Sequence, residues 1–219
     1  MTRDIKTYKI LSVCFRYPDE PLFEALKETD LFRSPLRGSS LEDLQAEYRR
    51  LFSLSVAGGI PPYETEYGHK DIFLKTQKLA DIAGFYAAFG LEISESSHER
   101  IDFIGAELDL MFWLKMKEET AIEKGLSTEA QICREAQAKF MRDHLGRWAP
   151  FLGEQISKTS RQAFYRSVGQ WLSRFVESEC QRLGVEPDRI SGWIPEPEVE
   201  LECGPDDETQ LPQQLTILK

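Results

Sequence analysis

Nowhere in this 219-residue chain do eighteen apolar residues run together, so no membrane-spanning helix is expected. Cysteine is scarce and scattered: Cys14, Cys133, Cys180 and Cys203 form no CxxC pair. Neither a zinc site nor a disulfide framework is expected from them, and isolated thiols suit a reducing compartment. The three histidines are dispersed as well. Glu95 and His98 make a single ExxH, where a carboxylate-bridged di-metal bundle needs the motif twice with further glutamates. No metal centre is expected, and no other cofactor. Positive charge is in deficit, 27 Lys and Arg against 37 Asp and Glu, for a net charge of −10. A nucleic acid is therefore a poor partner, and a basic peptide or protein surface a better one. The first twenty residues do not read as a secretory signal, because lysine and arginine interrupt the apolar stretch. The expected location is the cytoplasm.

Strand patterns are missing too. No segment alternates apolar and polar residues over six positions, and strands do not alternate with helices as in a nucleotide-binding α/β fold. The chain also lacks GxSxG, HExxH, GxxxxGK[ST] and GxGxxG. Gly58-Gly59 could face a phosphate, but no Lys-Ser pair opens a helix behind it. These absences favour binding over catalysis.

Helical periodicity is what the chain does contain. Ile5, Tyr8, Leu11 and Phe15 are spaced for a helix over 4–16 that Tyr17-Pro18 ends. A short helix is expected over 21–28. Ser40 should cap LEDLQAEYRRLF, with Leu44, Tyr48, Leu51 and Phe52 on one face. A helix over 70–89 closes at Gly90, and ERIDFIGAELDLMFWLKMKEE is apolar nearly all round, as at the centre of a bundle. Ser127 or Thr128 should cap a helix to 145, a turn follows, and a last helix over 158–183 stops at Gly184. The expected fold is one all-α domain, residues 1–184, of seven or eight helices. Beyond it, residues 186–219 hold nine acids against Arg189 and Lys219, −7 of the total −10, and residues 186–208 hold four prolines. Residues 185–219 are expected to form an acidic, loosely docked or mobile tail, either solubilising or covering a basic ligand site.

Between two helices stands GGIPPYETEYG, residues 58–68. Pro61-Pro62 stiffens the backbone, and a long ordered loop in a compact domain is usually functional. Aromatic walls and glutamates suit an extended, cationic peptide. Tyr63 and Tyr67 could equally cover the apolar face of the Tyr48/Phe52 helix.

Four passages, in order, resemble the TorD/DmsD/NarJ family of redox-enzyme maturation chaperones over most of residues 1–183. They are LSVCFRYPDEPLFEAL, YRRLFSLSVAGGIPPYETEY, HERIDFIGAELDLMFWL and DHLGRWAPFL. The third occupies the place of the family's Glu-Pro-x-Asp-His. Glu99 and Asp102 match its acids, while Arg100 replaces the proline and Phe103 the histidine. The resemblance implies a cytoplasmic, non-enzymatic chaperone. Its partner would be the catalytic subunit of a molybdopterin-containing oxidoreductase, held by a twin-arginine signal peptide or N-terminal segment. The alternatives are a nucleotide-dependent maturation factor and a helical adaptor for an unrelated protein. The implied peptide site comprises Tyr48, Leu51, Phe52, Pro62, Tyr63, Glu64, Glu66, Glu99, Asp102 and Phe103, with the acids taking the client's arginines. His144 and Trp148 belong to the fourth passage and are expected to pack rather than bind, and Glu107 has no assigned role. No nucleic acid or membrane insertion is implied, and the state is a monomer or a segment-exchanged dimer.

Overall fold

A computed structural model of the protein describes residues 3–52, 59–68, 72–92 and 99–192. Gly58, Lys70, Glu95, His98, Cys203 and most of the expected tail lie outside the described residues.

The described residues form nine α-helices and no strand. In chain order they are α1 (Arg3–Cys14), α2 (Glu20–Glu28), α3 (Asp30–Arg33), α4 (Leu41–Phe52), α5 (Ile72–Ala88), α6 (Ile104–Glu123), α7 (Ser127–Asp143), α8 (Leu145–Thr159) and α9 (Ala163–Leu183). The all-helical expectation holds. The count exceeds seven or eight because α3 is a single turn and because Leu145–Thr159 is helical where a turn was expected. Pro150 suggests a break there, yet α8 continues through it. A proline supplies no N–H for the carbonyl four residues back, here that of Gly146. Arg189, in the segment after α9, donates a guanidinium N–H to that carbonyl.

Local chemistry sets most of the ends. Ser40 and Asp43 exchange reciprocal side chain–backbone hydrogen bonds at the start of α4. Gly184 ends α9 in the left-handed conformation, φ +68°. Three expected starts shift. The α7 cap position falls on Leu126, with Ser127 already helical and no side-chain cap bond. The last helix begins at Ala163, because Ser160 turns the chain by accepting from the Gln162 amide. The central helix begins at Ile104, five residues later than its apolar run.

α6 packs against α1, α7 and α8, and α8 lies along α9. α6 buries Ile104, Leu108, Leu110, Met111 and Leu114. It is not covered all round, as Trp113 and Ile122 remain exposed. α1 is pinned on two sides: Tyr8 donates to Glu179 of α9 at 2.8 Å, and Lys9 and Ser12 donate to Asp109 of α6. The boundary expected after residue 184 is crossed by contacts. The Ile190 amide donates to the Arg147 carbonyl at 2.9 Å, so residues 185–190 stay on the N-terminal end of α8.

Candidate functional site

Residues 59–68 are driven into the body of the bundle rather than held away from it. Pro62 has no N–H to offer but its carbonyl accepts from Ile104, and the Asp102 carbonyl accepts from Glu64, both at 2.9 Å. These bonds create one isolated antiparallel bridge, Tyr63 to Phe103, between the loop and the approach to α6. Glu64–Glu66 then make a 3₁₀ turn. Ile60, Pro62, Glu64, Thr65 and Tyr67 are buried, whereas Tyr63 and Glu66 are half-buried. Two polar clusters result, an outer one around Asp102 and an inner one around Glu64.

The outer cluster centres on Asp102. Its carboxylate is fully buried and accepts from the Thr65 amide at 3.0 Å and the Thr65 hydroxyl at 2.8 Å. The same carboxylate takes a two-pronged contact from Arg100, Nε at 3.0 Å and Nη2 at 2.8 Å. Arg100 also donates to Glu66 at 3.0 Å and to the Thr65 hydroxyl. Its guanidinium lies over the Tyr63 ring, 4.6 Å from the centroid. The Tyr63 phenol, pushed up to about 12 by burial and its bond to Glu99, donates to that carboxylate at 2.9 Å. Asp102 was expected to stand open to a client's arginine. Instead it holds an arginine of its own chain. A turn over residues 100–103, closed by the Phe103 amide on the Arg100 carbonyl at 3.1 Å, brings Arg100 over Asp102.

The inner cluster joins four elements. Glu64, fully buried, meets the His144 Nδ1 at 2.9 Å and the Lys78 ammonium at 3.4 Å. The other ring nitrogen of His144 lies 3.1 Å from Asp81 of α5. Behind Glu64 lies Glu107, also fully buried, which accepts from the Trp148 indole at 3.1 Å. One oxygen of Glu64 and one of Glu107 make no hydrogen bond, although that Glu64 oxygen faces the Lys78 ammonium at 3.4 Å. A proton on Glu107 serves the pair. Burial first, and then the negative charge of Glu64, raise the Glu107 carboxyl far above the ordinary carboxylate range, so that it stays protonated and hydrogen-bonds to Glu64. His144 and Trp148 thus do more than fill space, since they supply two of the polar contacts to this acid pair.

The residues expected at the site are therefore divided. Tyr48, Tyr63 and Glu99 share one neighbourhood, where Tyr48 is raised by burial and then by the charge of Glu99. Glu66 and Asp102 join them through Arg100. Leu51, Phe52, Pro62 and Phe103 are buried instead. Phe52 does not line an open groove beside Tyr48. It packs between Phe15 and Tyr165, ring centroids 6.1 Å from each. Glu64 faces inward. The cleft on this side of the molecule lies beyond Phe103: about 420 Å³, lined by Val13, Tyr86, Leu91, Phe103 and Trp113, with Glu99 at its edge. A larger cavity of about 960 Å³ opens on the inner side, between Lys78, His144, Arg147 and Ile190. Sequence reasoning missed Thr65, Lys78 and Asp81, and saw Arg100 only as a replaced proline. No spacing rule signalled the Arg100–Asp102 pair, because a turn and neither a strand nor a helix joins the two. Among the described residues no three His, Cys, Asp or Glu side chains are grouped to hold a metal ion, and no helix is long and apolar enough to cross a membrane.

A family model described as the nitrate reductase delta subunit matches residues 18–154. A chlorate reductase assembly chaperone protein from Ideonella dechloratans is 29% identical over 189 residues, 83% of this chain and 90% of its own. A selenate reductase assembly chaperone protein from Thauera selenatis is 28% identical over 184 residues, 84% and 91% of the two chains. Among solved structures, a candidate redox enzyme maturation protein from Archaeoglobus fulgidus superposes with a TM-score of 0.50 at 20% identity. That match covers 81% of this chain and 95% of the other, and is a likeness of fold.

Proposed function

The chain belongs to the nitrate reductase delta subunit family, and from that premise we infer that it is a non-catalytic assembly chaperone for a reductase. Its client is the catalytic subunit of a molybdopterin-containing oxidoreductase, bound in the cytoplasm through an N-terminal segment or signal peptide before cofactor insertion is complete. The relatives' role in the assembly of chlorate and selenate reductases supports the client class.

The observation that carries this reading is the cleft beyond Phe103. It combines apolar side chains and an exposed Trp113 with the acids Glu92, Glu99 and Asp109 and the bases Lys9 and Arg16, and Glu99 accepts from the half-buried Tyr63 phenol. An extended segment with an apolar stretch and a cationic residue for Glu99 fits those surfaces. Burial of the apolar stretch contributes most of the affinity, at about 25 cal/mol per Å² removed from water. The exposed acid contributes only about 0–1 kcal/mol and sets direction along the cleft.

Calorimetric titration with the N-terminal segment of the reductase subunit encoded beside this chain tests the reading. Binding at about 1 µM or tighter is expected. Trp113→Asp, at a position 45% exposed, should weaken it at least about tenfold while helical circular dichroism is retained. No binding of the segment, together with no retention of the whole subunit on immobilised chaperone, would overturn the assignment.

A further inference from the structure

The contacts around Arg100 have the composition of an arginine receptor. A guanidinium is recognised by paired carboxylate oxygens in its plane, by further acceptors for its remaining N–H groups, and by an aromatic ring against its face. All three are present. Asp102 supplies the paired oxygens, Glu66 and the Thr65 hydroxyl the further acceptors, and Tyr63 the ring at 4.6 Å. The walls do not depend on the arginine they hold. Asp102 is fixed by Thr65, Tyr63 by its bridge to Phe103 and its bond to Glu99, and Glu66 by Lys75 at 3.1 Å. The Arg100 side chain is 40% exposed, so the occupied receptor reaches solvent through its occupant.

We propose that Tyr63, Thr65, Glu66 and Asp102 form a binding site for the guanidinium of an incoming arginine. Arg100 is its resident occupant, a competitor built into the same chain. An arginine on a client segment enters by replacing Arg100 over the Tyr63 ring and on the Asp102 carboxylate. The physiological meaning rests on the client-binding role above. The recognition chemistry does not. Because the competitor is tethered beside the site, its effective concentration is of millimolar order, and a free guanidinium is held off until Arg100 is removed.

The test is titration of Arg100→Ala and of the wild-type protein with N-acetyl-arginine amide and N-acetyl-lysine amide. The variant should bind the arginine compound at least about tenfold tighter than wild type does and prefer it to the lysine compound by a similar factor. Adding Asp102→Asn should remove that gain. The arginine compound should also raise the melting temperature of Arg100→Ala while leaving that of wild type unchanged. If Arg100→Ala does not fold, Arg100→Gln keeps most of the stem without the guanidinium and serves in its place. An Arg100 that merely braced the loop would leave a weakened protein with no arginine-selective uptake, and that result in the folded variant overturns the proposal. Failure of client-segment binding by the wild-type protein would instead count against the chaperone role, so the two can fail separately.

Discussion

At the scale of single residues, Glu107 offers the sharpest test of the inner cluster. Its carboxyl is raised far above the usual range by burial and then by Glu64, so the folded protein keeps a proton there that the unfolded chain gives up near its ordinary value of 4.5. From about 4.5 upward the native state therefore binds more protons than the unfolded state, and stability falls as pH rises through that window. Glu107→Gln keeps a neutral amide that can accept from Trp148 and donate to Glu64. The variant should gain on wild type as pH rises, with little difference near pH 4. Urea unfolding of both proteins at pH 5 and pH 8 measures this, and an equal gap at the two values would show that Glu107 carries no raised proton. Neither the proton nor its reason was legible in GAELDLMF. A glutamate on an apolar helix could face water or a partner, and only burial beside Glu64, 43 positions earlier in numbering, decides between them.

At the scale of elements, Glu47 ties α4 to the turn between α8 and α9. Its carboxylate accepts from the Ser160 hydroxyl at 2.8 Å and the Arg161 amide at 2.6 Å, and is forked by Arg50. Burial alone would raise this group. Hydrogen bonds from Arg50, Arg161 and Ser160 outweigh burial and hold it at about 2. The folded value lies below the ordinary 4.5, so the contribution is present above 4.5 and lost as pH falls toward 2. Glu47→Gln should cost about 1–3 kcal/mol at pH 7, and the gap to wild type should narrow on acidification. Chemical denaturation at pH 7 and pH 3 checks both statements. The ends of α4 and α9 could be read directly, because a Ser-x-x-Asp box and a C-terminal glycine act within a few residues. The start of α9 could not. It depends on a hydroxyl at 160 whose partner Glu47 lies on another helix.

At the scale of the whole molecule, the bundle depends on how closely α8 and α9 approach. A Cβ added to Gly169 would lie 2.4 Å from the Gly153 carbonyl oxygen, and one added to Gly153 2.5 Å from that of Gly169. These are backbone atoms that cannot swing aside. Gly169→Ala should force the helices apart and destabilise the protein by about 1–3 kcal/mol or more. A lowered melting temperature with helical circular dichroism retained is the expected signature. A neutral effect would mean that the two helices slide freely.

The sequence by itself determined that the chain is helical, roughly where its longest helices run, and which family its ordered short patterns resemble. Those properties arise from spacing and caps within one or two turns of chain, and the chain carries them wherever its segments end up. The tertiary structure alone decided the partner of each acid. Asp102 was expected to wait for a visitor and holds Arg100. Glu64 was expected to face the same visitor and turns inward to His144, 80 positions away. Leu51, Phe52 and Pro62 passed from an expected groove into the core. A carboxylate's role follows from which donors and how much water surround it, and packing settles both by bringing distant segments together.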